Sequence, residues 1–350
     1  MEQTQSMSPK IFLNKVLAGT ATGIIIGLIP NAVLGAILRY FSGSSFAMAV
    51  AQMAVIFQLA TPLIIGGLIA LQFGFAPMKM MVVAGAAFVG SEVVKFTPEL
   101  GETGVYVGAG TGDIINTMIT ASIAVGLIYL IGERFGSVAI VLTPIVVGVG
   151  AGVIGFYLYP YVADITSAIG TVINNFTTLQ PLLMSILIGC SFAFLIISPI
   201  STVAIGVAIQ LDGVSAGAAA MGVAATTFVL IVNSWKVNKS GVTIAITLGA
   251  MKMMMPNLFR RPVILVPCLI SAVITAIPVA LLSISGTPAS AGFGIVGLVG
   301  PLASLDAGLN PALVVLSWLV VPVAAALFTQ FLCEKVLKLY DRADVFEFLG

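Results

Sequence analysis

The sequence predicts an all-α polytopic membrane protein, and three observations carry that reading. Of its 350 residues 59% are apolar and only 8% are charged, whereas a soluble chain carries roughly 25% charged residues to cover its surface. The charges are also unevenly placed: residues 16–38, 40–78, 114–132, 135–163, 165–211, 213–235, 262–305 and 307–333 contain none. Within those runs hydrophobicity is continuous rather than alternating, which selects helices over an outer-membrane barrel.

A transmembrane helix needs about 20 predominantly apolar residues, so each run can be read in turn. The first span begins near residue 14. It is longer than the ~7–15 residue apolar core of a cleavable signal and is expected to stay in the chain. The second runs from about Phe46 to Phe73, with Thr61-Pro62 as a kink rather than a break. Further spans begin near 78, 113 and 137. Ile165–Gln180 is rich in Thr, Ser and Asn and reads as amphipathic. Pro181–Ser198 spans, Pro199 interrupts, and one more member falls around 200–211. The last three begin near 214, 262 and 309, giving about ten. Lys10 and Lys15 at one end, and Lys335, Lys338 and Arg342 at the other, place both termini in the cytoplasm by the positive-inside rule. Arg39 then faces outward.

Two intervals are too short to cross. Lys79 to Glu92 and Lys239 to Lys252 each enclose twelve uncharged residues. Basic residues flank 240–251 on both sides, so a half-membrane hairpin is expected there. Ser283–Ser304 is a second hairpin candidate, uncharged but too rich in Gly, Ser and Pro for a plain helix. Broken elements of this kind point to a transporter's binding site.

Composition excludes several functions. The chain has no histidine, which removes Ser-His-Asp hydrolysis, imidazole metal sites and phosphohistidine relays. A net charge of +1 and the lack of a basic run argue against nucleic acid. Cys190, Cys268 and Cys333 form no CxxC pair. The loop TPELGETGVYVGAGTGD, with Glu99, Glu102 and Asp113, lacks the lysine and spacing of a phosphate-binding loop. Met78–Met81 and Met251–Met255 could hold Cu(I) by their thioethers, yet each encloses a lysine that would repel it. No resident cofactor or metal is expected.

Four features remain as candidates. Glu92 is a carboxylate at membrane depth, expensive there unless used, with Lys95 at i+3 as its partner if the segment is helical; the competing reading is a helix end with both charges snorkelling. Asn233, Lys236 and Asn238 form a dense polar group leading into 240–251, and their donors and acceptors suit a hydroxyl-rich ligand. A solvated cytoplasmic loop is the alternative there. The glycine pairs Gly23–Gly27, Gly148–Gly152 and Gly213–Gly217 stand at the spacing of tight helix association, inside a bundle or between protomers.

The stretches NKVLAGTATGIIIGLIPNAVLGAI (14–37), SPISTVAIGVAIQLDGVSAGAAAMGVAAT (198–226), NSWKVNKSG (233–241), MPNLFRRP (255–262) and GTPASAGFGIVGLVGP (286–301) resemble the membrane-embedded EIIC subunits of the phosphoenolpyruvate-dependent phosphotransferase system. Within that family they resemble the stand-alone branch that includes the perfringolysin O regulator. The resemblance implies an elevator-type fold of about ten spans with two re-entrant hairpins, in a homodimer within the bacterial cytoplasmic membrane. Residues 1–160 would then be the scaffold and dimerisation half, and 161–350 the substrate-binding transport half. It further implies a small polar, sugar-like solute moved by alternating access, with phosphate supplied by separate cytosolic EIIB and EIIA proteins. The chain would not itself be an enzyme. Thr287 and Ser290 of the second hairpin join Asn233, Lys236, Asn238 and Glu92 as expected binding residues. The sequence departs from the sugar-transporting pattern in lacking histidine, the Gly-Ile-Thr-Glu-Pro element and any hairpin carboxylate. A membrane sensor that keeps the fold without transport, and a proton-coupled transporter using Glu92, are the alternatives.

Overall fold

The computed structural model describes residues 8–38, 41, 43–100 and 103–349. Arg39 and Glu102 lie outside the described residues. Helix α1 (Pro9–Leu38) runs for thirty residues through Pro30. Helices α2 (Ser45–Leu59) and α3 (Thr61–Gln72) meet at a 45° bend. Pro62 has no N–H to continue the ladder there, and the Thr61 hydroxyl donates to the Gln58 carbonyl at 2.5 Å. Helix α4 (Pro77–Gly90) leads into a hairpin of β1 (Val94–Thr97) and β2 (Val105–Gly108). The strands are antiparallel, with Val94 opposite Gly108 and Thr97 opposite Val105. Helix α5 (Ile114–Ile131) is capped by Asp113, whose Oδ1 accepts the Asn116 N–H at 2.8 Å. Helix α6 (Gly136–Phe176) is 41 residues long and contains a π-helical turn at Pro144–Val149.

The remaining helices are α7 (Pro181–Leu195), α8 (Thr202–Ala208), α9 (Gly213–Ser234), α10 (Ser240–Thr247), α11 (Met255–Arg260), α12 (Pro262–Leu282), α13 (Pro288–Phe293), α14 (Val299–Asp306), α15 (Pro311–Val336) and α16 (Arg342–Phe346). Among the described residues six helices are long and apolar enough to cross a membrane, or seven if the bent pair α2–α3 is one span. The expected ten differ from this at three places. Helices α4 and α7 have 14 and 15 residues, and at 1.5 Å per residue reach only about 22 Å of a ~30 Å hydrocarbon core. The stretch 200–211 holds only the seven-residue α8, which corrects the expected span there. The Ser and Pro residues of 198–201 stop the preceding helix before it reaches spanning length.

The chain divides into two compact units, one up to Gly27 and from Val55 to Val162, the other Leu28–Ala54 with Ala163–Leu349. In the first, Gly19 and Gly23 of α1 lie so close to α3 that an added Cβ would stand 2.5 Å from Ile69 Cα and 2.7 Å from Ile65 Cα. Gly148 and Gly152 similarly face Val82 and Val89 of α4. These glycines serve contacts within the unit, as small residues do where helices pack without a hydrophobic driving force. Asn116, fully buried on α5, donates through Nδ2 to the Gly90 carbonyl and, at 2.8 Å, to that of Gly155. One amide thereby ties α4, α5 and α6 together.

The second unit is built around α9, which is buried along nearly its whole length: 83% of its most apolar window is enclosed. Its Gly222 sits against the Gly189 backbone of α7, and Thr226 Oγ1 donates to the Ala193 carbonyl at 3.2 Å. The methionines at 251 and 253–255 are buried core residues. Between them the Lys252 ammonium turns inward and donates to the carbonyls of Ser198 at 2.6 Å and Ile200 at 2.7 Å. It thus satisfies the open backbone beyond the end of α7.

Candidate functional site

The segment 283–304 folds as two short helical arms, α13 and α14, joined by a turn with left-handed backbone at Gly294, Gly297 and Leu298. Its first arm is fastened to the start of α9. The Gly286 N–H donates to the Gly213 carbonyl at 2.9 Å, an isolated antiparallel bridge. Four residues on, the Ile284 carbonyl lies directly against Gly217, with no room for a side chain.

A reciprocal cap then starts α13. Thr287 Oγ1 accepts the Ser290 N–H at 3.2 Å, and Ser290 Oγ accepts the Thr287 N–H at 2.8 Å. Two backbone donors that the helix start leaves open are satisfied this way. The arm is held to α8 by Thr202 Oγ1, which donates to the Gly292 carbonyl at 2.9 Å. The return arm is secured by Ser304, whose Oγ donates to the Ser285 carbonyl at 3.0 Å and accepts the Trp318 Nε1–H at 3.1 Å. At the tip, Val296 packs on Gly249, where a Cβ would stand 2.8 Å from Val296 Cγ1. The two short segments singled out in the sequence therefore touch.

Beside the loop that precedes α13 lies an open cavity of about 520 Å³, lined by Val207, Gln210, Asp212 and Pro288. Gln210 holds a left-handed backbone, φ 52, a conformation costing on the order of 1–3 kcal/mol in a residue other than glycine.

The six residues expected to bind solute fall into three groups. Thr287 and Ser290 come together at the base of the hairpin; Thr287 is exposed beside the cavity-lining Pro288, whereas Ser290 is buried. Asn233, Lys236 and Asn238 lie at the opposite end of α9, about 30 Å along a helix of this length. Asn233 is fully buried, donates to the Val229 carbonyl at 2.8 Å and keeps a buried Oδ1 with no hydrogen-bond partner among the described residues. Lys236 is exposed. Asn238 grips the chain near α16, donating to the Phe346 carbonyl at 2.7 Å and accepting the Phe348 N–H at 2.7 Å. Asn257 acts beside it, donating to the carbonyls of Val345 at 2.8 Å and Glu347 at 2.6 Å.

Glu92 belongs to the first unit. It pairs with Lys95 at 3.7 Å, though not along a helix as the i+3 spacing implied. Helix α4 ends at Gly90, Glu92 takes a left-handed backbone (φ 57) and Lys95 stands on β1. Ser91 drives that ending: its Oγ donates back to the Phe88 carbonyl and accepts the Val93 N–H. The Lys95 ammonium also donates to the Tyr159 hydroxyl at 3.3 Å and sits 4.8 Å from that ring's centre.

Asp212 and Gln210 were passed over in the sequence as a boundary between two charge-free runs. The signal was present nonetheless: Asp212 is the sole carboxylate between Asp164 and Asp306. Among the described residues no cluster of three or more His, Cys, Asp or Glu side chains could hold a metal ion.

Residues 14–346 match the family model described as phosphotransferase system, EIIC. No curated protein and no solved structure matches the chain.

Proposed function

The chain belongs to the EIIC family of the phosphotransferase system, and from that premise we propose that it binds a small, sugar-like solute and passes it across the membrane by alternating access. As a member of that family it is a multi-pass membrane transporter component, a permease rather than a catalyst, working with EIIB and EIIA partners. In the proposed arrangement residues 1–160 form a dimeric scaffold in the cytoplasmic membrane and 161–350 carry the solute. Phosphate reaches the solute from separate cytosolic proteins.

One observation supports the reading above the others. The hairpin 283–304 is short, broken and polar at its base, yet it is anchored at both ends and opens beside a cavity. Irregular backbone of this kind persists at membrane depth only where protein or a wet cavity satisfies it, and broken helices place transport sites. We assign solute contact to the Thr287 hydroxyl and the neighbouring loop backbone, with Ser290 holding the loop in shape. Asn233, Lys236 and Asn238 form a polar group at the other end of α9. The basic residues Lys236, Lys239, Arg260 and Arg261 around it support placing it on the cytoplasmic side, where EIIB would approach. Glu92 is assigned a supporting role in the scaffold half.

The test is uptake. Membrane vesicles containing the protein, supplied with phosphoenolpyruvate and the general phosphotransferase proteins, should accumulate labelled sugar as its phosphate ester. Vesicles that bind sugar but show no phosphoenolpyruvate-dependent accumulation would overturn the coupling.

A further inference from the structure

We propose that the main-chain carbonyls at the end of α7 form a monovalent-cation site, and that this chain fills it permanently with its own Lys252 ammonium. The inference is independent of the solute and of the transport reading above.

The site is made of backbone that the fold leaves open. Helix α7 stops at Leu195, and residues 196–201 run as turn and bend until α8 begins at Thr202. The last carbonyls of a helix have no intrahelical donor and carry the negative end of its dipole. Here the oxygens of Leu195, Ser198 and Ile200 converge on Lys252 Nζ, at 3.5, 2.6 and 2.7 Å. The lysine is 7% exposed. The oxygens are also held together without it. Ser198 Oγ donates back to the Leu195 carbonyl at 2.8 Å and accepts the Ile200 N–H at 3.2 Å.

Nothing acidic answers the charge. The ammonium joins no ion pair among the described residues. Helices α7, α9 and α10, the linker 196–201 and the hairpin 283–304 contain neither Asp nor Glu. A buried ammonium without a counter-charge is expensive, so carbonyl dipoles take the part of a carboxylate here. Burial pushes the Lys252 pKa down from 10.5 to about 7, while hydrogen bonds made to the charged form pull it back up.

The shell selects the ligand class. Carbonyl oxygens without a formal charge replace the hydration of a small monovalent cation, whereas divalent ions draw on carboxylates. Unwound carbonyls and the C-terminal ends of broken helices hold such cations in membrane proteins. A free ion could leave; a tethered one cannot. The ammonium therefore pins the 251–254 turn to the linker 198–200. Thr202 pins the start of α8 to Gly292, and Gly249 meets Val296 at the hairpin tip. One fixed cation closes that ring of contacts.

The experiment compares wild type, Lys252→Ala and Lys252→Met in detergent at about pH 6, below the Lys252 pKa of about 7. Thermal melts are recorded in sodium, potassium, ammonium or methylammonium chloride against choline chloride, a cation too large for the site, at equal ionic strength. Lys252→Ala should melt below wild type in choline, and sodium or potassium should raise its midpoint by about 2 °C or more. Wild type, already filled, and Lys252→Met, whose side chain occupies the space, should not respond. No recovery by any cation, or the same rise in all three proteins, would overturn the site. Recovery by ammonium and methylammonium alone would overturn the cation reading in favour of plain hydrogen-bond donation, because the metal ions carry no N–H. Should Lys252→Ala fail to fold in choline, the yield of monodisperse protein extracted in each salt replaces the melt. Folded protein recovered with sodium or potassium then supports the site, and none in any salt counts against it.

Discussion

The Gly286 N–H donates to the Gly213 carbonyl at 2.9 Å, and this single bridge sets the register between the hairpin and the central helix of its unit. It brings the Ile284 carbonyl onto Gly217 and places Pro288 across from Asp212. Both partners must be glycine-like for local reasons. Gly213 holds φ +56, and a Cβ on Gly286 would stand 2.6 Å from Ser290 Oγ.

Gly217→Ala should therefore destabilise the protein, against the usual sign. Alanine ordinarily gains up to about 1 kcal/mol over glycine in a helix. At Gly217 the added methyl would collide with the Ile284 carbonyl, and overpacking of this kind costs about 1–3 kcal/mol. Gly241→Ala in α10, where nothing lies within 4 Å of the added atom, supplies the control. Thermal unfolding in detergent should show a lower midpoint for the first variant and an equal or higher one for the second.

Asn257→Ala should release the 345–348 segment. Its amide is the donor to both the Val345 and Glu347 carbonyls, and leaving buried acceptors unpaired costs about 1–3 kcal/mol. Hydrogen exchange at the backbone amides of 345–348 should accelerate by about tenfold or more. Asn238→Ala should do the same through Phe346 and Phe348. If Asn238→Ala weakens solute binding while exchange there stays slow, its chief role lies with the ligand and not with the chain.

Long elements were legible in the sequence because apolar runs of spanning length leave little freedom. Helices α5, α9, α12 and α15 begin within two residues of where charge and proline placed them. Shorter ones were legible in part: proline placed α7 at Pro181 and its end near Pro199, within three residues, but nothing in the charge-free run 165–211 marks the brevity of α8. The hairpin was visible through its Gly, Ser and Pro content. Its juxtaposition with Asp212 was not, because that depends on Gly213 and Gly286, seventy-three positions apart in numbering. The polar group at 233–238 drew attention by composition alone. Composition does not reveal that Asn238 is occupied by chain near residue 347.

Lys252→Met should cost about 1–3 kcal/mol despite preserving apolar volume. The ammonium is the buried donor to the carbonyls of Ser198 and Ile200, and a thioether offers no hydrogen in its place. Lys252→Ala should be worse, adding a cavity to the same loss. A melting temperature for Lys252→Met equal to wild type would show that the carbonyls find other donors.

Asp113→Asn should stabilise the protein at neutral pH. Burial raises the Asp113 pKa above its ordinary 3.8, outweighing the backbone N–H bonds from Asn116 and Ile115 that lower it. Between the ordinary and the raised value the folded state holds more protons than the unfolded, so stability falls as pH rises through that window. Above it the cost is constant. Asparagine keeps a side-chain acceptor for the Asn116 N–H and removes the buried charge. The variant should melt higher than wild type near pH 7, with the gap narrowing towards about pH 4. A gap that widens on acidification would reverse the sign argued for this carboxyl.

Ser304→Ala should loosen the hairpin more than Trp318→Phe does. Ser304 is the middle of a relay in which the Trp318 indole N–H donates to its hydroxyl, and that hydroxyl's one hydrogen is shared between the Ser285 carbonyl at 3.0 Å and the Gly300 carbonyl at 3.1 Å. Alanine strands both the indole donor and the carbonyl, whereas phenylalanine removes only the donor and leaves the Ser304–Ser285 bond in place. Each stranded buried group costs about 1–3 kcal/mol. Trp318 is 2% exposed, so the smaller ring adds a packing loss that offsets part of the difference. Protection of the 285–304 amides against exchange separates the two effects, because packing loss acts on α15 while the broken relay acts on the loop. Ser304→Ala should raise exchange across Ser285–Ser290, and Trp318→Phe should leave it near wild type. Equal protection in both variants would mean that the bridge to Gly213 holds the loop without help from the return arm.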